Sequence, residues 1–194
     1  KILAAVESLG KRPEDIKHIL VTHCHPDHAG SLAALKQKTG AVAYMHPLDA
    51  ALVQKGEAMR TVNAAPGLIN YLIYNLFMKR QGPAVIEPVE VEKMVTDGEE
   101  LPIAGGIKVV HVPGHSAGQV AFLWPQQGGV LFAADVATNI IRLGYPPIFE
   151  DFAEGQRSLA KLAGINFEIA CFGHGRDIVG GAAVRFQKKW ATLG

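Results

Sequence analysis

The sequence predicts an α+β domain with two sheets flanked by helices, and two observations carry that expectation. Short apolar, β-branched runs come in blocks, with helix-patterned stretches between and after them. Glycine and proline turns separate those runs, as they do between strands rather than inside one long helix. At 194 residues and 48% hydrophobic content, the chain suits one domain with a proper core.

The elements follow in order. Residues 1–10 place Ile2, Leu3, Ala5, Val6 and Leu9 at helical spacing, with Gly10 as a stop. Pro13-Glu14-Asp15 is a turn. Ile16 to Thr22 is β-branched and apolar and reads as a buried strand delivering a histidine-rich loop. Ser31 to Lys38 is a helix closed by Gly40, Ala41 to Met45 a short strand, and His46-Pro47-Leu48-Asp49 opens the next helix. Residues 50–100 break this rhythm and read as an insertion or lid. Within them, Pro66 to Arg80 is apolar on nearly every face of a helix but too short and too interrupted to span a bilayer. Such a helix packs into the core, covers a site, or meets a second copy in a homodimer. Strands are expected at Val91 to Val95, Ile107 to Val112, Val120 to Trp124, Val130 to Ala133 and Phe167 to Phe172, and helices at Asp151 to Leu162 and Ala182 to Thr192.

Composition excludes several classes. The formal net charge is +1 and no basic block stands out, so no nucleic-acid footprint is visible. Two cysteines, Cys24 and Cys171, lie far apart and form no CxxC pair, which argues against a disulfide framework. No signal peptide opens the chain, so a cytoplasmic location is the expectation. Because Lys1 leads straight into a helix, the chain is also expected to begin inside a longer protein, which leaves secretion open.

The chemistry concentrates in His23-Cys24-His25-Pro26-Asp27-His28, where three histidines and a carboxylate fall within six residues. His115 in Pro-Gly-His-Ser, Asp135 at the end of an apolar run and His174 between glycines add three more donors in turns. Imidazole and carboxylate suit zinc, iron or manganese. Seven donors are too many for one tetrahedral ion and suit two ions sharing a ligand. In an extended segment His23 and His25 face one way and Cys24 the other, so Cys24 reads as a small buried hydrophobe. Asp27 and His28, beyond the turn at Pro26, can reach a second ion, and Asp27 can orient a hydroxide and take up its proton. His18, His46 and His111 lack this context and read as structural.

The series His23-x-His25-x-Asp27-His28 (HxHxDH), then His115, Asp135 and His174, resembles the seven-ligand pattern of the metallo-β-lactamase-fold hydrolases. The resemblance runs from about Ile16 to Asp177. It implies a four-layer αββα sandwich with the site at one edge. It also implies that His23, His25 and His115 hold one metal, that Asp27, His28 and His174 hold another, and that Asp135 bridges. The family opens with strands that precede the helix at residues 1–10, so this chain is expected to lack its N-terminal strands, supplied natively by an extension or a partner chain.

Asp135 at the bridging position argues against β-lactam hydrolysis, and His25 in place of glutamate argues against the diiron flavoproteins. Glyoxalase II carries a helical C-terminal extension and only about twenty residues follow His174 here, which weakens that assignment but not a thioesterase or lactonase one. The expected activity is therefore that of a dinuclear metal-dependent hydrolase of a lactone, ester or thioester, possessing a metal-bridging hydroxide and acting on a small molecule with an apolar acyl part. Zinc is the expected ion, with iron or manganese acceptable. A mononuclear iron enzyme resembling the persulfide dioxygenases is the alternative, and a scaffold without turnover is a third reading.

Overall fold

The computed structural model describes residues 1–79 and 83–193. Along the chain lie α1 (Ile2–Ser8), β1 (His18–Leu20), α2 (Pro26–Ala29), α3 (Leu32–Thr39), β2 (Val42–Met45), α4 (Pro47–Val53), β3 (Asn63–Ala64) and α5 (Leu68–Ile73). They are followed by β4 (Lys93–Met94), β5 (Glu100–Leu101), β6 (Ile107–His111), β7 (Val120–Trp124), β8 (Val130–Ala134) and β9 (Ile148–Phe149). The chain ends with α6 (Phe152–Ala163), β10 (Ile169–Phe172), β11 (Ile178–Val179) and α7 (Ala182–Trp190).

Two principal sheets result. One is parallel, in the order β1-β2-β4; the other is mixed and six-stranded, in the order β11-β10-β8-β7-β6-β5. A two-stranded ribbon, β3 with β9, is an addition to the two sheets expected from sequence.

The layering follows from where apolar side chains go. Alternate residues of a strand face opposite sides. On β6 and β7, Val109, Val120 and Phe122 meet Leu20, Tyr44 and Val95 between the two sheets. Val110 and Ala121 face the other way, onto Leu159, Leu162, Phe186 and Trp190 of α6 and α7. The far side of the parallel sheet is covered by Leu32 of α3 and Ala50 and Val53 of α4, packed on Ala43 and Met45. Helices, sheet, sheet and helices thus make the four αββα layers. The outer helices are built for this: α7 buries Ala182, Phe186 and Trp190 at i, i+4 and i+8, and Asp151 caps α6 by accepting from Glu154 N at 3.0 Å.

Several boundaries differ from expectation. The run Ile16 to Thr22 forms only a three-residue strand, and that strand is half-exposed rather than buried. Val91 to Val95 contributes only Lys93–Met94. The apolar stretch from Pro66 does not form one continuous helix. Its α-helical part is Leu68–Ile73, and residues Tyr74–Met78 continue as a π-turn. Arg80 lies outside the described residues, as do the side chains of Ile73 and Phe77. Asp27 and His28, past Pro26 as expected, lie on α2, a single helical turn opened by that proline.

Truncating a large side chain that α7 buries against the six-stranded sheet, as in Phe186→Ala, is expected to cost about 3–5 kcal/mol. Urea unfolding measures this; a loss under 1 kcal/mol would mean that the packing of α7 is dispensable.

Candidate metal centre

Strand direction brings the seven residues together. β6, β8 and β10 run the same way, because β7 pairs antiparallel with both β6 and β8, and β10 pairs parallel with β8. Their carboxyl ends therefore share one edge. His115 follows β6, Asp135 follows β8 and His174 follows β10. The loop carrying His23 and His25 leaves β1 at the same edge, where Thr22 O accepts from Val120 N at 2.9 Å and ties the two sheets. Loops beyond strand carboxyl ends are where open sheets place ligands.

Three overlapping groups form there. The donor atoms of His23, His25 and His115 lie within 4.8 Å of one another, and so do those of His23, His28 and Asp135 and those of Asp27, His28 and His174. Asp135 sits in the middle. Its Oδ1 is 3.6 Å from His28 Nε2, and its Oδ2 is 3.5 Å from His115 Nε2 and 3.3 Å from His174 Nε2. Asp27 Oδ2 is 3.1 Å from His174 Nε2 on the open side.

The protonation pattern suits cation binding. Burial holds His23 well below the usual imidazole range and His25 down to about 3, and it lowers His115 too. His28 goes the other way: burial pulls it down, but the Asp135 carboxylate overrides this. Asp135, which burial alone would raise, is lowered by His28, His115 and His174. His115 Nδ1 lies 2.9 Å from Ile148 O, which accepts its proton and so turns the Nε2 lone pair inward. The Nε2 atoms of His23, His25, His28 and His115 and the Oδ1 of Asp135 are buried without a hydrogen-bond partner among the described residues. Buried polar atoms are almost always paired. These five convergent atoms are of the nitrogen and oxygen donor types that divalent cations accept.

Close packing reinforces the geometry. A Cβ at Gly173 would collide with Asp135 Oδ1 and lie 2.6 Å from His28 Cε1. Ala134 adopts φ 48°, the left-handed region that non-glycine residues avoid, and this aims Asp135 out of the strand.

The structure also contains a support that the sequence reading did not single out. Asp49 of α4 is fully buried. It accepts from Cys24 N at 3.0 Å, between His23 and His25, from Ser116 Oγ at 2.7 Å, beside His115, and from Gly118 N at 3.0 Å. A Cβ at Gly118 would come within 2.6 Å of that carboxylate. Arg60 supplies the countercharge at 2.7 Å and also reaches Leu48 O and, at 3.4 Å, Glu150. Glu150 accepts from Ala117 N at 2.8 Å. The one available signal was an aspartate among apolar residues in Pro47-Leu48-Asp49-Ala50-Ala51, which reads as an ordinary first-turn acid. Cys24 is buried, as expected, 3.8 Å from Ser116 Oγ, and burial pushes its thiol up to about 12. His46 caps α4, accepting from Leu48 N, and stacks on His111 at 4.2 Å, so both are structural.

Fold and edge site together define a metallo-β-lactamase-type sandwich. Residues 2–174 match the family model described as "Metallo-beta-lactamase superfamily", and the chain belongs to that superfamily. It is 28% identical over 160 residues to a hydroxyacylglutathione hydrolase of Pseudomonas aeruginosa, an alignment covering 80% of this chain and 46% of that protein. Among solved structures it resembles a B3 metallo-β-lactamase with an active-site glutamic acid, at TM-score 0.70 and 24% identity, over 99% of this chain and 73% of that one. It also resembles a Cronobacter sakazakii metallo-β-lactamase, at TM-score 0.64 and 24% identity, over 89% of this chain and 61% of that one. The chain spans about half the length of the curated relatives it matches.

Asp49→Ala leaves Arg60 half-compensated and is expected to destabilise the metal-free protein by about 3 kcal/mol. It should also weaken zinc binding by roughly 10- to 100-fold in chelator competition. Arg60 and Ser116 hold Asp49 below the usual carboxylate range against the opposing effect of burial. Its stabilisation is therefore present above about pH 4 and lost as pH falls through the depressed value. Unchanged zinc affinity in the variant would mean that the Asp49 contacts do not position the histidine loops.

Proposed function

We propose that this chain carries the catalytic centre of a metal-dependent hydrolase that cleaves a small ester-like bond: an ester, lactone or thioester. The observation that carries the reading is the convergence of four partnerless imidazole nitrogens and the Asp135 carboxylate at one sheet edge. The relatives named hydroxyacylglutathione hydrolases support it, since their name specifies hydrolysis of an acyl conjugate of a small thiol.

The proposed ligands divide as the three groups divide. His23, His25 and His115 hold one cation; Asp27, His28 and His174 hold a second; Asp135 lies between and touches both sets. Two bound divalent ions, zinc by preference, supply Lewis acidity toward the carbonyl oxygen and lower the pKa of water.

The chain's own residues do the rest. Asp27 is half exposed at the open side, with Oδ2 3.1 Å from His174 Nε2. Its carboxylate orients the attacking water and accepts the proton released as the water oxygen bonds to the acyl carbon. That proton passes to the leaving oxygen or sulfur as the old bond breaks, so water is divided between the two products. The carbonyl of Ile148 fixes the His115 tautomer, and the Asp49 contacts hold the His23–His25 and His115 loops at constant spacing. Burial of His23, His25 and His115 keeps that pocket dry, while the exposed Asp27 and His174 face substrate.

Elemental analysis of the loaded protein should give two ions per chain; one iron per chain with oxygen uptake would favour the dioxygenase reading instead. Asp27→Asn is expected to lower kcat about 10²- to 10⁴-fold while the His23, His25 and His115 ion is kept. Loss of both ions together would contradict the division of roles.

No useful β-lactamase activity is expected, because Asp135 occupies the position between the two sets. Efficient hydrolysis of a penicillin or carbapenem by the purified protein would overturn this.

A further inference from the structure

Large apolar side chains belong inside a protein, and here several stand outside it beside the metal edge. Ile141 is 96% exposed, Ile69 74%, Leu68 72% and Ile140 65%. Isolated exposed hydrophobes carry no message, but a contiguous group does. These four, with Tyr145, line one groove of about 650 Å³ between the start of α5 and the loop that follows Asp135. That size falls within the range of small-molecule sites, roughly 300–1,000 Å³. Arg142 is the only charged residue among those described as lining it.

Both walls of the groove are fastened to the metal loops. On one side, Asn139 N donates to His174 O at 3.1 Å and Arg176 N donates back to Asn139 O at 3.0 Å. On the other, α5 follows β3, which pairs with β9 (Asn63 with Phe149, Ala64 with Ile148), and Ile148 is the residue whose carbonyl fixes His115. Ring contacts run the same way: Tyr145 lies 6.3 Å from Phe149, and Phe149 lies 6.4 Å from His115. Thr138, at the near end of the groove, is three residues beyond Asp135, so at most about 10 Å of chain separates the groove from the centre of the site.

From this placement we infer that the groove is the subsite for an uncharged, flexible acyl chain of the substrate, with Leu68, Ile69, Ile140 and Ile141 as its specificity-determining residues. The inference rests on the hydrolase reading above. It goes beyond it by selecting acyl compounds with an extended hydrocarbon part over short or charged ones. The proposal places the acyl chain in the groove and the reacting carbonyl at the metal edge, the two joined by the short segment from Asp135 to Thr138. A second copy of this protein is the competing occupant. Concavity and attachment to the ligand loops favour the substrate, since a subunit interface requires neither.

The test uses the metal-loaded chain and 4-nitrophenyl esters from acetate to octanoate. For the wild type, kcat/KM is expected to rise about fourfold per added methylene, the increment of burying one such group. Ile141→Asp and Leu68→Asp, both at exposed positions, should flatten this dependence. Val184→Asp, exposed on α7 at the far helix layer, should change neither. In parallel, octanoate titrated into the metal-free protein should shift NMR signals of the groove residues, and Ile141→Asp should weaken that binding at least tenfold. Turnover with no chain-length dependence, or with dependence kept in both aspartate variants, overturns the inference and leaves the hydrolase reading intact. Absence of turnover of esters, lactones and thioesters alike sinks the hydrolase reading, and the octanoate titration then decides the groove by itself. A wild-type dimer that Ile141→Asp converts to monomer, with the chain-length slope preserved, would assign the surface to subunit contact and refute the subsite.

Discussion

The constraint on which the structure depends is a set of buried nitrogen lone pairs that the chain itself does not satisfy. A buried polar atom without a partner costs about 1–3 kcal/mol. His23, His25, His28 and His115 each present one, all within a few ångströms. Burial disfavours the charged form of His23, His25 and His115, and repulsion between neighbouring rings works in the same direction, whereas Asp135 raises His28. A cluster of neutral imidazoles is stable only where the backbone is held by interactions made elsewhere. Those interactions are visible. Ala134 is held at positive φ, Gly173 is squeezed against Asp135 and His28, and Ile148 takes the one proton His115 can donate. Each transfers the cost of the site to the sheets beneath it.

Asp49 carries the largest share of that transfer. An ionised carboxylate with no exposure is itself expensive unless fully bonded. Here it has four donors: two backbone amides, one hydroxyl and Arg60. The amides and the hydroxyl come from the segments carrying His23, His25 and His115, which leave different sheets. The same anion that must be compensated is therefore what holds the two sheets' loops in register. Arg60 is partly exposed and leans on Glu150 as well, so positive charge is shared between a buried and a half-buried acid. Hydrogen bonds to ionised groups are about twice as strong as neutral ones, which is why one side chain suffices where several neutral ones would be needed.

Much of this was legible in the sequence because the relevant signals are local. The HxHxDH spacing, the glycines around His115 and His174, and the acid closing an apolar run each fit within a few residues, and the structure brings all seven residues to one edge. The long strands β6, β7 and β8 were legible for the same reason: a largely apolar run of five residues between turn signals is enough to read. The illegible parts depend on distant partners. Asp49 looks like a helix-start acid until Cys24, Ser116 and Arg60 are seen around it. β4, β5 and β9 are two-residue strands defined only by what they pair with. The α-helical part of the apolar stretch at 66–80 ends after six residues in a π-turn, and full hydrophobicity suggested burial where the side chains of Leu68, Ile69, Tyr71 and Leu72 are exposed. Hydrophobicity measures preference for leaving water, not which surface will supply the cover.

That mismatch bears on how the chain divides its labour. The six-stranded sheet, α6 and α7 form the best-buried cluster, and the loops emerging from it carry His115, Asp135 and His174. The parallel sheet with α3 and α4 forms a second cluster and carries His23 and His25. A group of exposed apolar side chains stands on α5, which joins neither cluster, and at Ile140 and Ile141 in the loop after Asp135, whose Val136, Ala137, Leu143 and Tyr145 pack on the first cluster. Position and chemistry are thus separated. Sites that need fixed geometry hang from strand ends, where displacement of the backbone would disturb a whole sheet. Surfaces that need to accommodate a ligand hang from short elements with few buried contacts, which open at low cost. The exposed side chains of Leu68, Ile69, Ile140 and Ile141 take no part in the bonds that hold the imidazoles, whereas Asp49 and Ala134 do. On the proposed reading, specificity on such a frame is altered at those exposed positions while the packing beneath the strand ends holds the site.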